Sequence, residues 1–422
     1  WLMTYLFLPP LVLYSERFQQ IVKRSPGMPR RHSATIEWVS RRAAKSPWFI
    51  VGASVISMMV AFVVVVRYAP RSIEYDFTRM RNKTSVTEGT EALEKRVSML
   101  FRSSMTPAAA VVDEAPQSKL VCDQVAALKG RISPEDLRIG PCKSIYDLLP
   151  SEDGMAQKAA QMRSTLSLLQ GQWRDKLSGK AKSDIDEFEN RLKTPPPTID
   201  DLPAVLASPF TDLKGDRGVV SFINPRTGML LSDGRNLIKF ANQLGELKYP
   251  DGRRIDVAAS SLIFADLIEI IKHEAPILTI VSLLGVILFV FLTLKRSWIA
   301  FVIVSTIVWS ALVMMGIASV LGLKVNFFNF IVLPLTFGVG ADYGINVAMR
   351  LARSKQRIAT ALKNTGGAVV LCSSTTIIGY YVLTRATNQA LASFGIAAVI
   401  GEICCLASAV FIVPAMLALG KK

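Results

Sequence analysis

Apolar residues in this chain are gathered into runs. Charge-free stretches cover residues 46–66, 275–294, 297–323, 364–384 and 386–401, and another at 325–349 is broken by one charge, Asp342. Each matches the roughly 20 residues that an α-helix needs to cross about 30 Å of hydrocarbon. The last run continues through Glu402 to Gly420 and reads as a span carrying one acid. The pattern predicts six membrane-spanning helices, one at 47–67 and five within 275–420. The expected fold is a six-span α-helical membrane bundle (1+5) with a large α+β domain inserted after the first span.

Between the first span and the others, over 68–274, the hydrophobic positions shorten and alternate. Ile73, Tyr75 and Phe77 alternate as in a strand over Ser72–Phe77, and Leu93, Val97 and Leu100 recur at helical spacing within Glu88–Phe101. Ala108–Val112 reads as a short strand and Lys119–Lys129 as a helix. The order then recurs: Gly218–Ile223 as a strand, Asn236–Leu244 as a helix presenting Leu237, Phe240 and Leu244 on one face, and Arg254–Ala258 as a strand. Two strand-helix-strand units predict α+β subdomains. Between them, at about 150–194, Met155, Met162, Leu166, Leu169, Trp173 and Leu177, then Ile185, Phe188 and Leu192, fall at helical intervals before Pro195-Pro196-Pro197. That spacing predicts a helical hairpin whose apolar stripe is packing surface. Gly140–Lys143 reads as a loop, and Leu262–Lys272 as a helix running into the span that begins near Ala275.

Charge then orients the bundle. The region 67–274 is nearly balanced, with 30 Lys/Arg against 29 Asp/Glu, whereas the rest of the chain holds 19 basic and 4 acidic residues. The basic excess flanks the spans: eight Lys/Arg against two Glu over 16–47, five with no acid over 350–363, and Lys295, Arg296, Lys421 and Lys422 at two further ends. With alternating spans all four places fall on one side, which the positive-inside rule makes the cytoplasm; Lys324 and Arg385 are lone exceptions on the other side. The inserted domain is then extracytoplasmic. The net charge of +16 reports membrane topology, and no nucleic-acid partner is expected. Residues 16–46 read as a basic cytoplasmic linker. Residues 1–15 are uncharged up to Tyr14 and too short to span, and Leu6–Leu13 resembles Phe411–Ala418, so they read as the end of a preceding transmembrane helix in a duplicated protein.

Cysteine usage follows the same division. Cys372, Cys404 and Cys405 lie in spans and read as small packing residues. Cys122 and Cys142 are the pair in the inserted domain; an extracytoplasmic setting permits a disulfide between them, and the sequence leaves bonded and free forms open. With His32 and His273 as the only histidines, no metal site is expected, and no cofactor.

Asp342 carries the strongest chemical signal. A lone carboxylate in hydrocarbon is costly, its pKa is driven upward, and such acids serve proton transfer more often than structure. Pro334 loosens the helix upstream, and the small residues Gly338, Gly340, Ala341 and Gly344 allow a neighbouring helix to approach. Ser373, Ser374, Thr375 and Thr376 cover all faces of one helical turn, so one or two of them are expected to face Asp342 if the helices are neighbours; the bland alternative is that small hydroxyls aid packing. Glu402 is a second intramembrane acid, either coupled to the relay or held in a structural hydrogen bond.

One span, a large domain and five spans, with Asn326 to Asn329, Gly338-Val339-Gly340-Ala341-Asp342-Tyr343-Gly344, Ser373-Ser374-Thr375-Thr376, Gly379-Tyr380 and Pro414, resemble the resistance-nodulation-division superfamily. The lipid-exporting branch, mycobacterial large membrane proteins and hopanoid exporters, is the most similar. The resemblance implies that Asp342 transfers protons with Tyr343 as its hydrogen-bonding neighbour. It also implies a transporter and not an enzyme, located in the inner membrane of a bacterium with its large domain in the periplasm. The expected partners are a hydrophobic or lipid substrate, membrane lipids, and the first half of the same transporter with a matching helix; homo-oligomerisation is left open. A lipid- or sterol-sensing-like receptor and a multidrug efflux pump are the competing functions.

Overall fold

A computed structural model describes residues 46–89, 106–150, 152–169, 197–229, 232–294, 297–353 and 358–420, with isolated positions between them. The segments 1–15 and 16–46, most of the second arm of the expected hairpin, and Lys295, Arg296, Lys421 and Lys422 lie outside the described residues.

Among the described residues, five helical stretches are long and apolar enough to cross a membrane. The helices are α1 (Pro47–Tyr68), α5 (Ser260–Thr293), α6 (Ser297–Val320), α7 (Val332–Arg353), α8 (Ile358–Leu383), α9 (Gln389–Ala407) and α10 (Val413–Leu419), the last two forming one stretch. Within α8 a shorter apolar portion, Gly367–Leu383, lies in the bundle as well. Pro47 occupies the first turn of α1, where its missing N–H has no partner to lose. The turn Ser408–Ile412 between α9 and α10 is π-helical; Pro414, two residues on, cannot donate the backbone bond a regular helix would use there.

The bundle core forms around α6, whose Ile299, Ala300, Val302, Ile303, Ile307 and Ala311 meet Phe337, Tyr343, Val347 and Ala348 of α7 and Cys405 and Ala409 near the end of the chain. Small residues set the spacings. A Cβ on Gly344 would sit 3.3 Å from Ile303, and one on Gly316 would sit 2.9 Å from the Ala61 side chain of α1. Trp309, two turns before Gly316 on α6, also fastens α1, its indole N–H donating at 3.0 Å to both the Ser54 carbonyl and the Ser57 hydroxyl.

The inserted domain is built on one four-stranded antiparallel sheet of β1 (Ala108–Val111), β2 (Ile139–Lys143), β3 (Val220–Pro225) and β4 (Asp256–Ala258), in the order β2-β3-β1-β4. Helix α2 (Ala115–Arg131) joins β1 to β2, and α4 (Gly234–Leu244) joins β3 to β4. Alternating apolar positions of the strands, Ala108, Ala110 and Ile223, pack with Val121, Val125 and Leu128 of α2 and Phe240 and Leu244 of α4. This is a split βαβ arrangement, so the two strand-helix-strand units form one interleaved sheet and not two subdomains: β3 fills the gap between β1 and β2, and β1 the gap between β3 and β4.

Two local readings are corrected. Gly140–Lys143 belongs to edge strand β2, where a Cβ on Gly140 would come within 2.5 Å of the Pro225 carbonyl, so only glycine permits the approach. Pro141 next to it is tolerated because β2 is an edge strand with a register shift between Ile139 and Cys142. Ser72–Phe77 is no strand: Ile73 bridges Val325 and Asp76 bridges Asp233, single partners from two separate places that cannot propagate a ladder. Cys122 of α2 and Cys142 of β2 are bonded, with their Cα atoms 5.3 Å apart. Glu152–Leu169 forms helix α3, over the first arm of the expected hairpin. Helix α5 is continuous for 34 residues; Ala265, Ile268 and Ile271 are buried in its first half, while the second half is the apolar span beyond Pro276.

Candidate functional site

Asp342 and Tyr343 adjoin in sequence and part in space. On α7 the exposed positions Leu335, Gly338, Asp342 and Asn346 recur every three to four residues and make one face, while Phe337, Ala341, Tyr343 and Val347 turn into the bundle. Asp342 accepts a hydrogen bond from the Asn346 side-chain amide, one turn along, at 3.1 Å. Tyr343 is only 4 % exposed and donates its hydroxyl to Glu402 of α9, itself 3 % exposed. Tyr343 is thus bonded to Glu402 rather than to its neighbour Asp342.

Glycines bring Glu402 to that place. A Cβ on Gly401 would lie 2.7 Å from the Thr336 hydroxyl of α7 and 2.8 Å from Met314 of α6; one on Gly340 would lie 3.4 Å from Cys405. With hydrogens at these positions α9 crosses α7 closely enough for a glutamate and a tyrosine 59 residues apart to meet. From α8, Ser373 completes the group. It is fully buried, its hydroxyl faces both Tyr343 and Glu402, and it makes no hydrogen bond of its own.

The other hydroxyls of the Ser/Thr run do not join it. Ser374 donates to the Val370 carbonyl, and Thr375 and Thr376 to the Cys372 carbonyl, all on their own helix. Gly338 lies open with no heavy atom near its would-be Cβ, whereas Gly340 and Gly344 are helix contacts. A small crevice is lined by Val332, Leu335, Val339, Tyr380, Ala398 and Glu402. Among the described residues no cluster of His, Cys, Asp and Glu could hold a metal ion.

Two polar groupings were not anticipated from the residues alone. Ser310 of α6 donates to Ser408 at the π turn at 2.9 Å, a buried hydroxyl pair between the central helix and the end of α9. At the opposite end of α9, Asn326 donates to Ser393 at 2.8 Å while Asn329 accepts from the Asn326 N–H and donates to the Lys324 carbonyl, tying the entries of α7 and α9 together. The Asn-rich 326–329 turn was the available signal for the latter; isolated serines in apolar helices gave none for the former.

The fold and site define a multi-pass membrane protein with an acid-bearing helical bundle and an inserted α+β domain. Residues 235–422 match the model of the MMPL family. The match covers the end of the inserted domain and the helices that follow it. The chain is 20% identical over 264 residues to a membrane protein of Methanocaldococcus jannaschii, across 58% of this chain and 64% of that protein. Its fold is similar to that of the hedgehog release protein Disp from the water bear Hypsibius dujardini, with a TM-score of 0.51 at 12% identity, over 96% of this chain and 52% of that one. The chain therefore spans 64% of the archaeal relative and about half of the water bear protein.

Proposed function

We propose that this chain is the second half of a duplicated transporter that uses the proton gradient to export lipid or another hydrophobic molecule from the inner membrane of a bacterium, with the inserted domain on the periplasmic side. The observation that carries the reading is the uncovered face of α7. Asp342 stands there among Leu335 and Gly338, and α8 likewise leaves Leu371, Thr375, Ile378 and Val382 exposed. A carboxyl on an apolar face at membrane depth is costly against lipid, so the face suits a protein partner that supplies hydrogen-bonding groups, and the first half of the same transporter is that partner.

Within this reading Asp342 takes up and releases the proton as the two halves shift. Tyr343, Glu402 and Ser373 form the polar support behind it on the inner side of the same helix. That the water bear protein of similar fold releases hedgehog favours export over the receptor alternative, in which the same bundle binds lipid and recruits partners without moving it. The test is efflux of fluorescent lipid from vesicles containing the complete protein under an imposed pH gradient. Efflux that collapses with the gradient supports transport; lipid binding with no gradient-dependent flux supports the receptor.

A further inference from the structure

We propose that residues 72–83 form the strap through which movement of the acid-bearing helices α7 and α9 reaches the inserted domain, with Glu74 as its positioning residue; this rests on the transport reading above. The segment leaves α1 with no strand ladder of its own. Its only regular piece is the 3₁₀ turn Phe77–Met80, so its path is set by what it touches.

It touches both sides. Toward the inserted domain, the Gly234 N–H donates to the Tyr75 carbonyl at 2.7 Å and the Phe77 N–H to the Ser232 carbonyl at 2.9 Å, while the Arg235 guanidinium lies over the Tyr75 ring. Toward the bundle, the Glu74 N–H donates to the Val325 carbonyl at 2.9 Å, just before the turn that opens α7. At the far end the Lys83 N–H reaches Thr387, and Gln389, the first residue of α9, donates to the Arg81 and Thr78 carbonyls at 3.2 and 3.1 Å. Phe77 and Met80 are buried in one apolar cluster with Leu237 of α4, Ala265 and Ile268 of α5 and Ala390 of α9. Packing is tight enough that a Cβ on Gly234 would come 2.2 Å from Ile268 and 3.1 Å from Phe77.

Glu74 holds this crossing in register. Its side chain is 8% exposed and pairs with Lys324 at 3.1 Å, with Arg79 of the strap at 3.7 Å. A carboxylate so enclosed is tolerated only while paired, so the pair fixes the strap against the entry of α7. The same entry is joined to α9 through Asn326 and Ser393, so the two helices that carry Asp342, Tyr343 and Glu402 start from one hydrogen-bonded knot onto which the strap is tied. A displacement of those starts has a continuous packed route to α4, a physical network of the kind that coupling between sites requires.

The experiment uses the complete protein in lipid vesicles and compares hydrogen exchange of the 232–244 amides between the native protein and Asp342→Asn, each with and without Glu74→Gln. The expected result is a difference between native and Asp342→Asn that Glu74→Gln removes, about a tenfold loss of gradient-driven efflux in Glu74→Gln, and recovery of both in the charge swap Glu74→Lys with Lys324→Glu. An undiminished exchange difference in the Glu74→Gln background overturns the strap. If Glu74→Gln fails to fold, the pair Asn82→Cys and Asn388→Cys, at bridged positions, decides. Cross-linking them leaves efflux intact if strap and α9 move as one body, and a reductant-reversible block contradicts it. Absence of efflux from the native protein rejects the transport reading, while the exchange comparison still tests the strap.

Discussion

Tyr343 donates its hydroxyl to Glu402 inside the bundle while Asp342, one residue earlier, stands on a different, exposed face of the same helix. Successive residues on an α-helix are turned by about 100°, so α7 presents one ionisable group to each side.

The inner group should behave as a structural unit. Tyr343→Phe leaves the Glu402 carboxyl buried without its phenol donor, which costs about 1–3 kcal/mol for an unsatisfied group. Glu402→Gln keeps an acceptor for Tyr343 and should cost less. Thermal unfolding in detergent checks the order, and a larger loss for Glu402→Gln than for Tyr343→Phe contradicts it.

Helix contacts give a second contrast. A Cβ on Gly395 would lie 2.8 Å from the Tyr380 carbonyl and the Thr384 nitrogen, backbone atoms of α8 and its C-terminal turn that cannot swing aside. Gly395→Ala should separate α8 from α9 and lower stability by about 1–3 kcal/mol. Gly338→Ala, with open space at its Cβ, should leave the stability of the isolated chain unchanged. Size-exclusion profiles and melting points of the two variants, measured together, check both halves of the statement.

The inserted domain should lose stability in acid. Lys239 at 2.6 Å holds the Asp136 carboxyl below its ordinary value, the backbone N–H of Thr198 does so for Asp201, and hydrogen bonds from Arg253 do so for Asp251. Depressed carboxyl values mean a contribution that is present above the unfolded value near 4 and is lost as pH falls through the folded one. All three groups are exposed, so the effect is small. Asp136→Asn should flatten the decline in denaturant midpoint below about pH 4; an unchanged slope would remove Asp136 from the explanation.

Much of the bundle was readable because lipid imposes a simple rule of length and polarity, and most of the apolar runs became helices of the bundle. Asp342 stood out for the same reason. The Tyr343 contact was not readable: its partner lies 59 residues away, and only the crossing of α7 and α9 decides which face each residue takes. Four adjacent hydroxyls at 373–376 give no clue which one points inward, and packing turned Ser373 alone toward Glu402. In the inserted domain, regular alternation found β1, β3 and β4. Gly140 and Pro141 concealed β2 because they look like loop residues although close approach and an edge position require or tolerate them. The alternation at Ser72–Phe77 misled, since an extended segment can alternate in burial while bridging two bodies.

The proposed orientation has its own check. In a Cys372→Ser background, which removes the exposed native thiol, a cysteine at fully exposed Leu213 should react with an impermeant maleimide in intact cells. One at Ser354, in the basic 350–363 stretch, should react only after permeabilisation. The opposite labelling would invert the topology.

Asp342→Asn in the complete protein tests the proton-relay role most directly. The amide keeps the size of the side chain and its capacity to bond Asn346 but cannot ionise. With protein amounts matched in reconstituted vesicles, efflux driven by an imposed pH gradient should fall to the level of protein-free vesicles, while folding and membrane insertion stay native. Gradient-driven efflux that persists at the native rate in Asp342→Asn would contradict the assignment of the proton to Asp342.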